Sequence, residues 1–152
     1  MSYRFDRAFA LLSVHEGGYV NHPKAPGGAT NRGVTQRTYD AYRQTHKKGR
    51  QSVRHISDYE VREIYKRQYW DAVRGDELPS GVGYCVFDAA VNSGVHRASR
   101  WLQKLVGAAQ DGIIGFETLQ KTRQMDPIRL IEAYCANRLS FMKSLRHWRT
   151  FG

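Results

Sequence analysis

Tyr84-Cys85-Val86-Phe87-Asp88-Ala89-Ala90-Val91 decides the fold class. Wound at 3.6 residues per turn, this segment is apolar on nearly every side, which marks a helix buried in the middle of a domain rather than one lying on its surface. Pro79 to Gly83 precede it and Gly94 is a natural terminator. Downstream, Ala98, Trp101, Leu102 and Leu105 make an amphipathic stripe that Gly107 ends, and Asp111-Gly112 forms a turn before a short helix near Phe116 to Gln124. Asp126 and Pro127 then suit N-cap and N1 of a long helix whose stripe reads Ile131, Tyr134, Cys135, Arg138, Met142 and Leu145.

Upstream, Phe5, Phe9 and Leu12 recur at helical spacing from Arg4 onward, predicting a short helix that stops at Glu16, before Gly17-Gly18. From Gly17 to Val34 the chain carries five glycines, two prolines and two asparagines, so turns and short extended pieces are expected there. A helix follows around Thr35 to Thr45, then a polar, basic surface loop from His46 to Arg54. Ser57 with Glu60 is a capping box, and Val61, Ile64, Tyr65, Gln68 and Tyr69 continue one helical face. The expected fold class is mainly α, a helical lobe with one small irregular or hairpin-like insertion near residues 17–34. No internal repeat or low-complexity tract interrupts it.

A chain of 152 residues with 41% hydrophobic and 25% charged residues suits one domain, 1–152, and is neither disordered nor fibrous by composition. Within it, residues 1–75 would form the first helix, the insertion and linking helices, and 76–152 a helical lobe. No apolar run approaches the roughly 20 residues of a spanning helix, so no transmembrane segment is expected. The net charge of +10 favours anionic partners. Met1 to Val14 contains Arg4, Asp6 and Arg7 and no small-residue cleavage site, so it does not read as a signal peptide. Cys85 and Cys135 lie far apart inside apolar patterns and read as core thiols rather than a disulfide or metal site. His15 and His22 have no metal-ligand spacing, and neither metal nor cofactor is expected.

Glu16 projects from the face that Phe5, Phe9 and Leu12 bury. Partial burial and the negative end of a helix dipole would both raise its pKa, as a general acid at neutral pH requires; the alternative is a solvated carboxylate at a helix end. Asp88 and Asn92, four apart on an otherwise apolar helix, need partners. Either Asn92 faces a binding cleft, or both satisfy backbone groups of the insertion.

His15-Glu16-Gly17-Gly18-Tyr19 is continued by Asn21, Pro23, Pro26-Gly27-Gly28-Ala29-Thr30-Asn31, Gly33 and Thr35-Gln36, and later by Tyr69-Trp70-Asp71, Gly75-Asp76 and Val86-Phe87-Asp88 to Val91-Asn92-Ser93-Gly94. This pattern resembles the glycoside hydrolase family 108 muramidases, phage and prophage endolysins. The resemblance implies a lysozyme-like fold, cleavage of the β-1,4 bond between N-acetylmuramic acid and N-acetylglucosamine in peptidoglycan, and Glu16 as the general acid. The stretch from Trp101 to Thr118 resembles the peptidoglycan-binding region of such enzymes, and the family pattern usually runs a little past Phe151-Gly152.

Between Glu16 and Gln36 there is no other carboxylate to act as nucleophile or base. Thr35 is expected to hold the attacking water, which would favour inversion, or to cap the following helix, or both. The expected substrate contacts are Tyr19, Asn31, Gln36 and Asn92. The basic run Arg37, Arg43, His46, Lys47, Lys48, Arg50 and Arg54 reads as a solvated surface with attraction to anionic envelope polymers; no motif supports specific nucleic-acid binding. The expected protein is a monomer made in the cytoplasm that reaches the cell wall through a separately made membrane hole or by secretion. A non-catalytic peptidoglycan binder and a lytic transglycosylase are the alternatives.

Overall fold

The computed structural model describes residues 3–13, 18–21 and 27–151. Among these the order is α1 (Tyr3–Ser13), β1 (Thr30–Asn31), β2 (Val34–Thr35), α2 (Gln36–Thr45), a 3₁₀ turn (Val53–His55), α3 (Asp58–Tyr65), a π turn (Lys66–Trp70), α4 (Ser80–Ser93), α5 (Val95–Val106), α6 (Phe116–Arg123) and α7 (Pro127–Phe151). The architecture is mainly α with one small antiparallel hairpin, as expected. The chain divides into two compact units, Phe9–Lys66 and Met1–Ala8 with Arg67–Gly152, so one boundary falls inside α1.

In the unit of residues 9–66, helix starts follow the local chemistry. Thr35 caps α2 by accepting the Thr38 N–H at 3.1 Å, and α2 therefore begins at Gln36. Ser57 and Glu60 close the expected capping box on α3. Glu60 does more than cap, because it is buried and its carboxylate also accepts from the Tyr39 hydroxyl at 2.7 Å and from Arg43 at 3.0 Å. Gln51 donates to the Tyr39 oxygen at 2.7 Å, which ties the 46–54 loop into the same cluster. That loop is not wholly surface: Val53 is fully buried at the start of the 3₁₀ turn.

The face expected to run on through Gln68 does not. Val61, Ile64 and Tyr65 are buried, but Gln68 is exposed and Trp70 is buried in its place. The wider π turn over Lys66–Trp70 adds a residue to the turn and rotates the following side chains around the axis.

In the other unit, Phe5, Trp70 and Phe87 pack edge-to-face or tilted, with ring centroids 5.4–5.9 Å apart. The Trp70 indole lies against Gly75, where a Cβ would stand 2.4 Å from its Cε2. Helix α4 is buried at Val82, Gly83, Val86, Phe87, Ala89 and Ala90, and packs against α5 and α7. Gly94 (φ 95°) separates α4 from α5, and Gly107 (φ 77°) ends α5. Gln103 is fully buried, and its amide donates to Asp111, Ile113 O and Thr118 and accepts from the Gly112 N–H, all at 2.9–3.1 Å. Those four bonds fix the 108–115 loop.

Several side chains of α7 correct the expected stripe. Leu130 and Tyr134 are buried, whereas Met142 and Leu145 are 55% and 47% exposed. A helix of 25 residues is about 37 Å long and α5, with 12, about 18 Å, so the distal part of α7 outruns its neighbours. Among the described residues, neither Asp88 nor Asn92 bonds the insertion. Asp88 takes Arg138 of α7 at 2.6 Å, and Asn92 donates to the Asp88 carbonyl one turn back at 3.0 Å. Nor are the cysteines core thiols: Cys85 is half-buried and Cys135 is exposed.

Two outcomes follow from these contacts. Burial works to raise the Glu60 pKa, but hydrogen bonds from the Ser57 N–H, Tyr39 and the Ser57 hydroxyl, with the charge of Arg43, outweigh it and hold the carboxyl below 4.5. The stabilisation this gives is present above 4.5 and is lost as pH falls through the lower native value. Glu60→Gln is expected to cost about 2 kcal/mol in urea unfolding at pH 7, and the deficit should shrink as the pH is lowered below 4.5. Gly75→Ala, with no room beside the buried Trp70 ring, should cost about 2–3 kcal/mol by the same measurement.

Candidate functional site

Residues 27–36 fold on themselves. Gly27 and Gly28 both have φ of 85°, and a Cβ at Gly27 would stand 3.3 Å from the Thr35 side chain. The Gln36 N–H donates to Ala29 O at 2.8 Å and the Arg37 N–H to Gly27 O at 3.0 Å, which lays the glycine pair over the start of α2. Arg32 (φ 53°) and Gly33 (φ 81°) make the two-residue turn that joins β1 to β2, with Thr30 opposite Thr35 and Asn31 opposite Val34. Val20 adds an antiparallel bridge to Thr30, at 2.7 Å in both directions. Tyr65 of α3 donates to Arg32 O at 2.7 Å and holds the turn from below.

The expected site residues take different places in this frame. Glu16 lies outside the described residues. Thr35 is the α2 cap and also donates from Oγ1 to the Thr38 hydroxyl at 3.0 Å, so of its hydrogen-bonding capacity one lone pair is left for another donor. Asn31 and Gln36 sit beside it, and their amides are spent on the fold. Asn31 Nδ2 donates to the carbonyls of Val53 and Arg54 at 3.2 Å each. Gln36 donates to Asp40 and Gln51 O at 2.8 Å and accepts from the Val53 N–H at 2.7 Å. Both residues therefore pin the 3₁₀ turn to the hairpin. Tyr19 is half-buried, with the Arg54 guanidinium 4.6 Å from its ring centroid. Asn92 is exposed on α4, in the other unit.

Carboxylates narrow the chemistry further. Residues 9–66 contain five: Glu16, Asp40, Asp58, Glu60 and Glu63. Asp40 accepts from Gln36, Asp58 pairs with Arg32, Glu60 sits in the Tyr39–Arg43 cluster and Glu63 accepts from Tyr42 at 2.6 Å. Glu60 is held ionised, the reverse of what a proton donor needs. On the Tyr42 side, burial first and the Glu63 bond second push the phenol pKa well up, so that proton stays where it is.

The sequence reading missed a second feature. At the α4–α5 junction, Ser93, Gly94, His96, Arg97, Arg100, Trp101, Lys104 and Gln110 line an open cavity of about 640 Å³. Its cations recur at 97, 100 and 104, one helical face of α5, a spacing legible in the chain but shorter than the basic run at 37–54. The 37–54 run itself borders a smaller cavity of about 400 Å³ among Asp40, Arg43, Gln44, Lys47, Lys48 and Arg50. No group of three or more His, Cys, Asp or Glu among the described residues could hold a metal ion, and no described helix is long and apolar enough to cross a membrane.

Comparison with known proteins places this geometry. Among curated proteins none matches the chain. Twelve chains of solved structures do. One, described as the structure of Brucella abortus SagA, is 42% identical, with a TM-score of 0.80 over 97% of this chain and 84% of that one. The family model of glycosyl hydrolase 108 matches residues 9–94, a span that holds the Glu16 signature, the hairpin, the α2 cap and Asn92. The chain belongs to the glycosyl hydrolase 108 family and has its mainly α, lysozyme-like fold.

Proposed function

We propose that this glycoside hydrolase cleaves the β-1,4 bond between N-acetylmuramic acid and N-acetylglucosamine in peptidoglycan, with Glu16 giving its proton to the leaving oxygen. The observation that carries the reading is the use of the carboxylates. Within residues 9–66, Asp40, Asp58, Glu60 and Glu63 are each committed to a named partner, and the remaining one, Glu16, stands in the family-matched signature. Protonation of the glycosidic oxygen builds positive charge on the sugar ring, and a water must then reach the anomeric carbon. Thr35 is the candidate to hold that water, because its backbone is fixed by the cap and by Gly27 while its Oγ1 keeps one lone pair. With no other carboxylate in the sequence between Glu16 and Gln36, and with Asp58 paired to Arg32 of the hairpin turn, inversion is the favoured outcome. The same observation supports one other reading, a lytic transglycosylase, since attack by the sugar's own 6-hydroxyl needs no protein nucleophile.

Peptidoglycan strands carry stem-peptide carboxylates, and envelope polymers carry more negative charge. The cavity with Arg97, Arg100, Lys104 and Trp101 supports contact with such anions, its indole offering a flat apolar surface. Export by a membrane hole or by secretion, and action on the wall, complete the proposal.

Glu16→Gln should sediment with purified sacculi yet fail to clear them; clearing at the wild-type rate would remove Glu16 from the mechanism. Mass spectrometry of the products separates the chemistries: reducing-end muramic acid for the hydrolase proposed, an anhydro end for the transglycosylase. Thr35→Ala should lose about 1 kcal/mol of stability from the cap, and kcat beyond what that loss explains, while Thr35→Ser restores both. Arg100→Gln with Lys104→Gln should weaken sedimentation with sacculi and flatten its salt dependence, with the melting temperature unchanged.

A further inference from the structure

Helices α4 and α7 meet in a constant register. A Cβ at Gly81 would stand 2.6 Å from Ile131 Cδ1, and Asp88 takes Arg138 at 2.6 Å; each pair is 50 residues apart in sequence, 131 less 81 and 138 less 88. Positions 81, 85 and 88 lie on one face of α4, and 131, 135 and 138 on one face of α7, so equal steps in the same direction make the two helices parallel here. Glycine at 81 removes the side chain that would hold them apart. Midway between those contacts, at the same offset, Cys85 and Cys135 face each other across the two helices. The glycine contact on one side and the ion pair on the other keep them in place.

We propose that Cys85 and Cys135 are an oxidative modification site, forming a disulfide that staples α4 to α7 by exchange with a disulfide-bearing oxidant. That the protein meets such an oxidant rests on the wall-hydrolase reading, since peptidoglycan lies outside the reducing cytoplasm; the juxtaposition of the thiols does not. In the first step the exposed Cys135, as thiolate, attacks one sulfur of the oxidant, whose S–S bond breaks and releases one thiolate to be protonated. In the second, Cys85 gives its proton to solvent and attacks the Cys135 sulfur, releasing the other thiol. Two protein thiols lose two electrons and two protons, and the oxidant becomes two thiols.

Burial, with Cys135 beside it, pushes the Cys85 thiol up to about 12. The charged and titratable groups facing the pair are Asp88 and Tyr84 of α4 and Arg138 and Tyr134 of α7. The second step is therefore the slow one, and its rate should rise about tenfold per pH unit through the neutral range. Closing a loop of this length should raise the melting temperature on the order of 10 °C.

The test treats the reduced full-length protein with oxidised glutathione between pH 7 and 9, quenches with acid and measures intact mass and alkylatable thiols. The expected product has lost two hydrogens, has both thiols blocked and yields a cross-linked peptide pair containing Cys85 and Cys135. A transient glutathione adduct should precede it on Cys135, and become permanent in Cys85→Ser. Cys135→Ser should form no intramolecular bond. A wild-type adduct that persists at Cys135 with Cys85 still alkylatable overturns the proposal, as do two thiols that stay free. Wall clearing is assayed separately, so its failure would count against the hydrolase reading while the mass measurement decides the disulfide.

Discussion

Helix α4 is dry around most of its circumference, and that constraint organises residues 67–151. A helix with Val82, Val86, Phe87, Ala89 and Ala90 all buried must be met by other elements on several sides at once. The small residues let them come close: Gly83 stands with its Cβ position 2.9 Å from Gly75 O, and Gly81 admits Ile131. Asp88 and Asn92 are then handled at the edge, Asp88 by Arg138 and Asn92 by its own helix. Dispersion contacts at this density tolerate little added volume, so the glycines carry as much structural information here as the large apolar side chains.

The unit of residues 9–66 solves a different problem. Beside its buried Leu12, Val34, Val53, Ile56, Val61 and Ile64, it is held by a polar cluster in which Tyr39, Glu60, Arg43 and Gln51 satisfy one another, and by two amides, Asn31 and Gln36, that reach across to the Val53 turn. Such a network is worth little when incomplete, because each orphaned partner would pay for its lost hydration. Rigidity at the hairpin is the return. It fixes the backbone at Thr35, where a hydroxyl is needed at a set position if it is to hold a water at all.

Local chemistry is what the chain displays openly. Thr35, the Ser57 and Glu60 box, Asp126 before Pro127, Gly94 and Gly107 each announce a helix end through a bond within a few residues, and all were readable. The π turn was not, because its cost is offset only by burying Trp70 against partners far away in sequence. For the same reason the matched placement of Cys85 and Cys135 was hidden: a helical register 50 residues apart leaves no trace in either local pattern. At the candidate site the glycine-rich signature stood out, but the work done by Asn31 and Gln36 in tethering a distant turn could be assigned only from the fold.

The division of the chain also bears on its birth at the ribosome. Residues 9–66 form a continuous unit whose internal bonds can all close before α4 has been synthesised, whereas Phe5 waits for Trp70 and Phe87 and α4 waits for α7. The apolar flank of α4 thus stays uncovered until α7 has emerged, and a stall or premature stop within α7 would release a chain with residues 9–66 finished and a greasy rod exposed, a natural substrate for chaperones and proteases.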